Sequence, residues 1–200
     1  RVVPDPSRIL VTGCSAGAYG SIWWTPYIRR QWPNSSIVQF GDSGASILTD
    51  QFRNDGLRRW HIERSSPRWI PELDPEQNDL NQMDGQSVYN AIAKAHPEIR
   101  FSQFNYLNDI VQRWFYGAMG GTQALWANQM RSAMNQINTQ SKNFNFYIAP
   151  WDGHCVLPFP EFYSQASPIN SMIPFKDWLS GVIGETPAVN EPCASCAEDP

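Results

Sequence analysis

A serine hydroxyl is a useful nucleophile at neutral pH only when an imidazole can take its proton and a carboxylate orients that imidazole. Ser15 is the serine this chain presents for such chemistry. It sits in Gly13-Cys14-Ser15-Ala16-Gly17, a G-x-S-x-G pattern between the apolar run Ile9-Leu10-Val11-Thr12 and a helix-compatible segment from Ala18. A strand-to-helix turn of this kind holds the serine in a strained conformation, calls for small neighbours on both sides, and exposes Oγ at the sheet edge. The chain has three histidines. His61 falls in an irregular stretch and His96 precedes Pro97 at a helix end, and both read as structural or solvated. His154 follows the last expected strand in a glycine-containing loop, which puts nucleophile, acid and base in the chain order of an α/β-hydrolase. Two acids compete. Asp109 follows the penultimate strand, where it could equally cap the helix from Ile110; Asp42 follows the strand next to the elbow, as the alternative acid or a pocket-shaping residue. Asp152 is too near His154 in sequence to reach around its ring.

The cysteines bear on the same pair. Cys14 precedes Ser15 and Cys155 follows His154, so if nucleophile and base meet, their neighbours meet too. Disulfide closure needs Cα atoms roughly 4.4–6.8 Å apart, which makes a Cys14–Cys155 bridge a geometric consequence of the triad, with two buried free thiols as the alternative. Such a bridge would hold the elbow and the histidine loop in register. Cys193 and Cys196 would then pair and staple the tail. Zinc is not expected at Cys193-Ala194-Ser195-Cys196, because no second cysteine pair or paired histidines complete a site. The expected chemistry needs no metal or cofactor.

The elements that must position these groups alternate. Ile9–Thr12, Ile37–Phe40, Ile99–Tyr106 and Asn143–Ala149 read as strands. Ala18–Gln31, Gly85–Ala95, Ile110–Tyr116 and Thr122–Thr139 read as helices, the last two separated by Gly120-Gly121. Fourfold alternation indicates a mostly parallel sheet covered on both faces, with ligands at the carboxyl ends of strands, where Ser15, Asp42, Asp109 and His154 all fall. Residues from about 46 to 80 are irregular and read as a cap-like insertion. Its Trp60 and Trp69 are expected to pack in the core, or otherwise to line an acyl, aryl or sugar pocket.

Two hundred residues at 42% hydrophobic content suffice for one domain. The net charge of −4 and scattered basic residues leave no positive stripe for nucleic acid. No apolar run approaches the ~20 residues that span a bilayer. Nine Trp, ten Phe, seven Tyr and sixteen Pro with only 17% charged residues suit an exported, polymer-acting enzyme, secreted or periplasmic. A chain opening at Arg1 reads as processed or as a fragment. Asn34-Ser35-Ser36 is a glycosylation sequon in a eukaryotic source.

Gly13-Cys14-Ser15-Ala16-Gly17, Gly41-Asp42-Ser43-Gly44, Asn105-Tyr106-Leu107-Asn108-Asp109-Ile110-Val111-Gln112 and His154-Cys155 together resemble the pectin acetylesterase family, bacterial members above all. The resemblance runs from residue 9 to about 157, with the terminal Cys-x-x-Cys also shared, and the family includes animal carboxylesterases that remove a fatty acyl group from signalling proteins. It implies an α/β-hydrolase fold with Ser15 as nucleophile, Asp109 as acid and His154 as base. The Cys-Ser and His-Cys neighbours also resemble those of tannases and feruloyl esterases. Family members carry a long segment before the elbow, with the first strands of the sheet and a loop that supplies oxyanion donors. Here fourteen residues precede Ser15. Ala16 N–H would give one donor, and an N-terminal partner chain or a further segment is expected to give the other. Ala18 stands where the family usually has a second glycine. The resulting expectation is a serine ester hydrolase, acting on an acylated polymer, whose residues 1–185 form the C-terminal portion of the catalytic domain and 186–200 a tail. A polyester- or feruloyl-type esterase and a non-catalytic subunit of the same fold are the alternatives.

Overall fold

The computed structural model describes residues 5–164, 173–184, 189–193 and 196. Strands β1 (Arg8–Cys14), β2 (Ser36–Asp42), β3 (Arg100–Tyr106) and β4 (Phe144–Ala149) form one parallel sheet in the order β1-β2-β3-β4. Parallel neighbours need long crossovers, and helices supply them. α1 (Ala16–Gln31) joins β1 to β2. α2 (Asp50–Phe52), a π-turn over Arg53–Leu57, α3 (Arg58–Trp60) and α4 (Gly85–Ala95) lead to β3, and α5 (Ile110–Ala118) and α6 (Trp126–Gln140) lead to β4. α7 (Glu161–Ser164) and α8 (Phe175–Ile183) follow.

Period-two alternation divides the side chains between two cores. Ile37, Phe101, Phe144, Phe146 and Ile148 pack with Ile92 of α4 and with Met130, Met134 and Ile137 of α6. Val38, Phe40, Phe104, Tyr106 and Tyr147 pack with Phe175, Trp178, Leu179 and Val182 of α8. Burying one such side chain contributes roughly 1.5–3 kcal/mol, so both faces of β2, β3 and β4 are firmly held. β1 differs. It is an edge strand whose burial is patchy, with Leu10 42% exposed, and among the described residues no strand pairs with its outer side.

The register sets Cys14 opposite Asp42, Asp42 opposite Phe104, and Tyr106 opposite Ala149, so the carboxyl ends of all four strands finish together. α4 runs over the residues read from sequence, with Asp84 accepting from Ser87 N at its start. The last long helix opens later than expected, at Trp126, after a 3₁₀ turn at Gln123–Leu125. Residues 46–84 carry one continuous helical stretch, Asp50–Trp60 with the π segment inside it, and otherwise only 3₁₀ turns. The core-packing reading of Trp60 and Trp69 is corrected, because they are 65% and 39% exposed. Leu57, Ile70, Leu73 and Leu80 fill the interior instead. Trp23 Nε1 and Tyr27 Oη donate to Ser65 O at 3.0 and 2.9 Å, pinning the segment to α1. Trp69 is left on the surface, edge-on to Tyr27 and 4.3 Å below the Arg30 guanidinium.

In the tail, Glu191 exchanges backbone hydrogen bonds with β4 through Ile148 N and Phe146 O. Cys193 is buried and bonded to Cys196, and Arg131 donates to both carbonyls. Residues 186–188, 194, 195 and 197–200 lie outside the described residues. Among the described residues no helix is long and apolar enough to cross a membrane.

Candidate active site

Ser15 occupies the single residue between β1 and α1, at φ 57°, ψ −121°. A non-glycine residue pays a conformational cost there and persists only where its surroundings enforce it. Gly13 is one enforcing neighbour, since a Cβ on it would lie 2.4 Å from Gly17 O. Gly17 is not, because a Cβ there would meet nothing within 4 Å, which corrects the expectation of small residues on both sides. The second required glycine is Gly44, where a Cβ would lie 2.4 Å from Ala18 Cβ and 3.0 Å from Ser15 O. Ala18 therefore fits behind the elbow because residue 44 has no side chain. Ser15 N donates to Asp42 O at 2.8 Å, anchoring the turn to the end of β2.

Asp109 is completely buried and is the N-cap of α5, where Oδ1 accepts from Val111 N and Gln112 N at 3.0 and 2.9 Å. The same carboxylate meets His154, whose Nδ1 lies 3.0 Å from Oδ1 and 2.9 Å from Oδ2. Capping and histidine contact were competing readings of Asp109 in the sequence. The fold combines them, because the loop after β4 runs alongside the loop after β3 through Asn108 N to Trp151 O and Ile110 N to Asp152 O.

Asp42 is also completely buried, but among the described residues its carboxylate hydrogen-bonds to backbone amides and Ser43 and not to the imidazole. Its carboxylate accepts from Val156 N at 3.0 and 2.9 Å and from Leu157 N at 2.9 Å, and Ser43 Oγ accepts from Cys155 N at 2.9 Å. Three successive amides after His154 are thus held by the end of β2. Burial pushes the Asp42 carboxyl up to about 6, against the lowering effect of the Leu157 and Val156 amides, nearby His154 and the Ser43 hydroxyl. Left-handed φ values at Ser15, Ser43, Ser46, Trp151 and Cys155 gather in these same turns.

Cys14 and Cys155 are bonded, with Cα atoms 5.8 Å apart across 141 residues of sequence. A ring nitrogen of His154 and the two sulfurs all lie within 4.8 Å of one another. The bridge therefore brings the residue before Ser15 and a ring nitrogen of His154 to one place. Among the described residues no hydrogen bond joins Ser15 Oγ to His154, and such contacts are often long without substrate. Ala16 opens α1, and amides in a helix's first turn have no intrahelical acceptor. His61 is exposed beside Glu63, 3.1 Å away. His96 is buried near Glu98, and burial holds its imidazole below the usual histidine range. Sequence reasoning assigned no role to Ser43 or Gly44, although both lie in a quoted motif; a Ser-Gly pair directly after a strand-terminal acid was the available signal.

No family model matches this chain, and no curated protein matches it in sequence. Among solved structures it is similar to the Wnt deacylase Notum from Drosophila, with TM-score 0.52 and 15% identity, over 96% of this chain and 60% of that one. The chain thus spans about 60% of the length of that neighbour. The likeness is one of fold, and with the parallel sheet it identifies an α/β-hydrolase architecture. It supports the family resemblance at that level.

Proposed function

We propose that this chain is the catalytic portion of a serine carboxylic ester hydrolase. In this reading Ser15 Oγ attacks the ester carbonyl while His154 Nε2 takes its proton, and Asp109 holds Nδ1–H and stabilises the imidazolium that forms. Ala16 N–H donates to the developing oxyanion. His154 returns the proton to the departing alcohol, and water then releases the acid from the acyl-enzyme by the same steps in reverse. The observation that carries the reading is the buried Asp109 carboxylate on His154 Nδ1, with the next residue tied covalently to the neighbour of Ser15.

A second oxyanion donor is assigned to chain outside the described residues, and the open outer edge of β1 is where further strands would join. One such donor is worth roughly 10²–10³ in rate, so full activity is expected from the complete enzyme. The substrate is an ester on a polymer. Ile110, next to Asp109, and Trp151, three residues before His154, are 57% and 56% exposed, which favours an apolar acyl or aryl group over bare acetate. Residues 46–80 are proposed as the cap. The two disulfides suit an oxidising, secreted or periplasmic setting.

The test is a p-nitrophenyl ester series and a fluorophosphonate probe, applied to the full-length or two-chain protein alongside Ser15→Ala. Labelling and turnover that vanish in the variant are expected. A wild type that is neither labelled nor active would overturn the proposal.

A further inference from the structure

Two amides in the motif that carries Asp109 have a placement the reaction above does not use. Gln112 is buried in the first turn of α5, and Asn105 is completely buried on β3. Gln112 Nε2 lies 3.0 Å from Asp109 Oδ2 and 3.1 Å from Asn105 Oδ1, while its Oε1 accepts from Ala45 N at 2.9 Å. Asn105 Nδ2 in turn donates to Gln103 Oε1 at 3.1 Å. These partners leave Gln112 one orientation. Turning its amide over would set oxygen against the carboxylate and against Asn105 Oδ1, and would set NH₂ against the Ala45 amide.

We propose that Gln112 is a positioning residue for ester hydrolysis, anchored by Asn105, which fixes the rotation of the Asp109 carboxylate against the His154 ring. The inference rests on the ester-hydrolase reading. The physical argument is one of geometry in a dry site. The two carboxylate oxygens swing together about the Cβ–Cγ bond, and the backbone amides of Val111 and Gln112 resist that swing at Oδ1 alone. The Gln112 side chain stops that swing, so both oxygens stay near Nδ1 as the ring becomes charged. Through Ala45 it also ties the acid to the loop whose Gly44 packs behind Ser15, so one amide sets acid and nucleophile turn in register. A buried amide serving only the fold would not need its donor on the carboxylate. Asn90 is such a case, bonded to Gln140 and Ser141 between α4 and the end of α6.

The experiment compares wild type with Gln112→Glu, Gln112→Leu and Asn90→Ala. Gln112→Glu keeps the shape and the acceptor for Ala45 N but turns the donor to Asp109 into a negative charge. Outer partners of this kind typically matter by ~10–100-fold. For both Gln112 variants we expect kcat to fall by about that factor with KM within about twofold. In Gln112→Glu the histidine limb of the pH–rate profile should also move to higher pH. Asn90→Ala should lower the melting temperature and leave kcat within about twofold of wild type. The His154 Nδ1–H proton resonance should shift in both Gln112 variants and stay in Asn90→Ala, a readout that needs no turnover. If Gln112→Leu fails to fold, the isosteric Glu variant decides. Gln112 variants with kcat within about twofold of wild type and an unmoved resonance would overturn the inference. An inactive, unlabelled wild type whose resonance still responds to Gln112 would instead sink the esterase reading alone.

Discussion

The carboxyl ends of β2 and β3 are neighbours in one sheet, and each carries an aspartate with no exposed surface. Asp109, three residues beyond β3, meets a side chain that can move a proton. Among the described residues the Asp42 carboxylate, at the end of β2, hydrogen-bonds only to backbone amides and a hydroxyl. Equal burial and equal chemistry thus meet two kinds of partner, an imidazole in one case and the backbone of the loop that carries it in the other. What separates them is the partner's freedom. An imidazole can gain and lose a proton against a fixed carboxylate, whereas amides can only be held. Asp42 also accepts from Ser15 N through its backbone carbonyl, so the end of β2 grips the Ser15 turn and the His154 loop at once.

Substitutions at the two ends test this division. The largest effect is expected from Asp109→Asn, which keeps shape and cap but imposes the wrong histidine tautomer. A fall in kcat of about 10⁴ is expected on p-nitrophenyl acetate, and a loss under tenfold would erase the distinction from Asp42. Next comes the link between the two regions. Cys14→Ser with Cys155→Ser opens a 141-residue loop and should cost roughly 2–5 kcal/mol in urea unfolding. An unchanged midpoint would mean that Asp42 and Ser43 hold the loop unaided.

Asp42→Asn should reduce kcat by only about tenfold, since its NH₂ faces the Val156 and Leu157 amides while Asp109 and His154 remain. It should also change the pH dependence of stability. Native Asp42 titrates near 6, against 3.8 for the ordinary group, so between those values the native state binds more protons than the unfolded chain. Wild-type stability should therefore decline as pH rises from about 4 to 6, by on the order of 3 kcal/mol. The same slope in Asp42→Asn would remove Asp42 as its source. The smallest effect belongs to Ser43→Ala, which strips the acceptor from Cys155 N and should cost about 1–3 kcal/mol. Melting curves check this, with activity at 25 °C within a few-fold of wild type.

Much of this arrangement was legible along the chain. The four strands and the helices between them followed from period-two and helical runs, because those patterns depend on neighbours a few residues apart. The turn at Ser15 was readable for a similar reason, since it rests on a local pattern at a strand end, whereas the Cys14–Cys155 bridge was readable only through its neighbours, as a consequence of Ser15 and His154 meeting. Trp60 and Trp69 were misread because size and apolarity say nothing of which side of a segment faces inward. That was decided by Trp23 and Tyr27 reaching Ser65. Gly17 was misread because the elbow's crowding comes from Gly44, twenty-seven positions further along. Gln112 stood inside a quoted motif, but its three-way bonding to Asp109, Asn105 and Ala45 spans elements that meet only in the folded sheet.

By itself, then, the sequence determined the kinds of element, their order, the strained turn at Ser15 and the short list of groups able to assist it. All of these are set by backbone preferences and apolar spacing within a few residues. The choice between Asp42 and Asp109 as the neighbour of His154 belonged to the tertiary structure. It depended on the register of β3 with β4 and on the path of the loop after β4, which together carry His154 forty-five residues along the chain to within 2.9 Å of one carboxylate and not the other. No local propensity encodes a distance of that kind. It arises only when the strands pair and both faces of the sheet are packed.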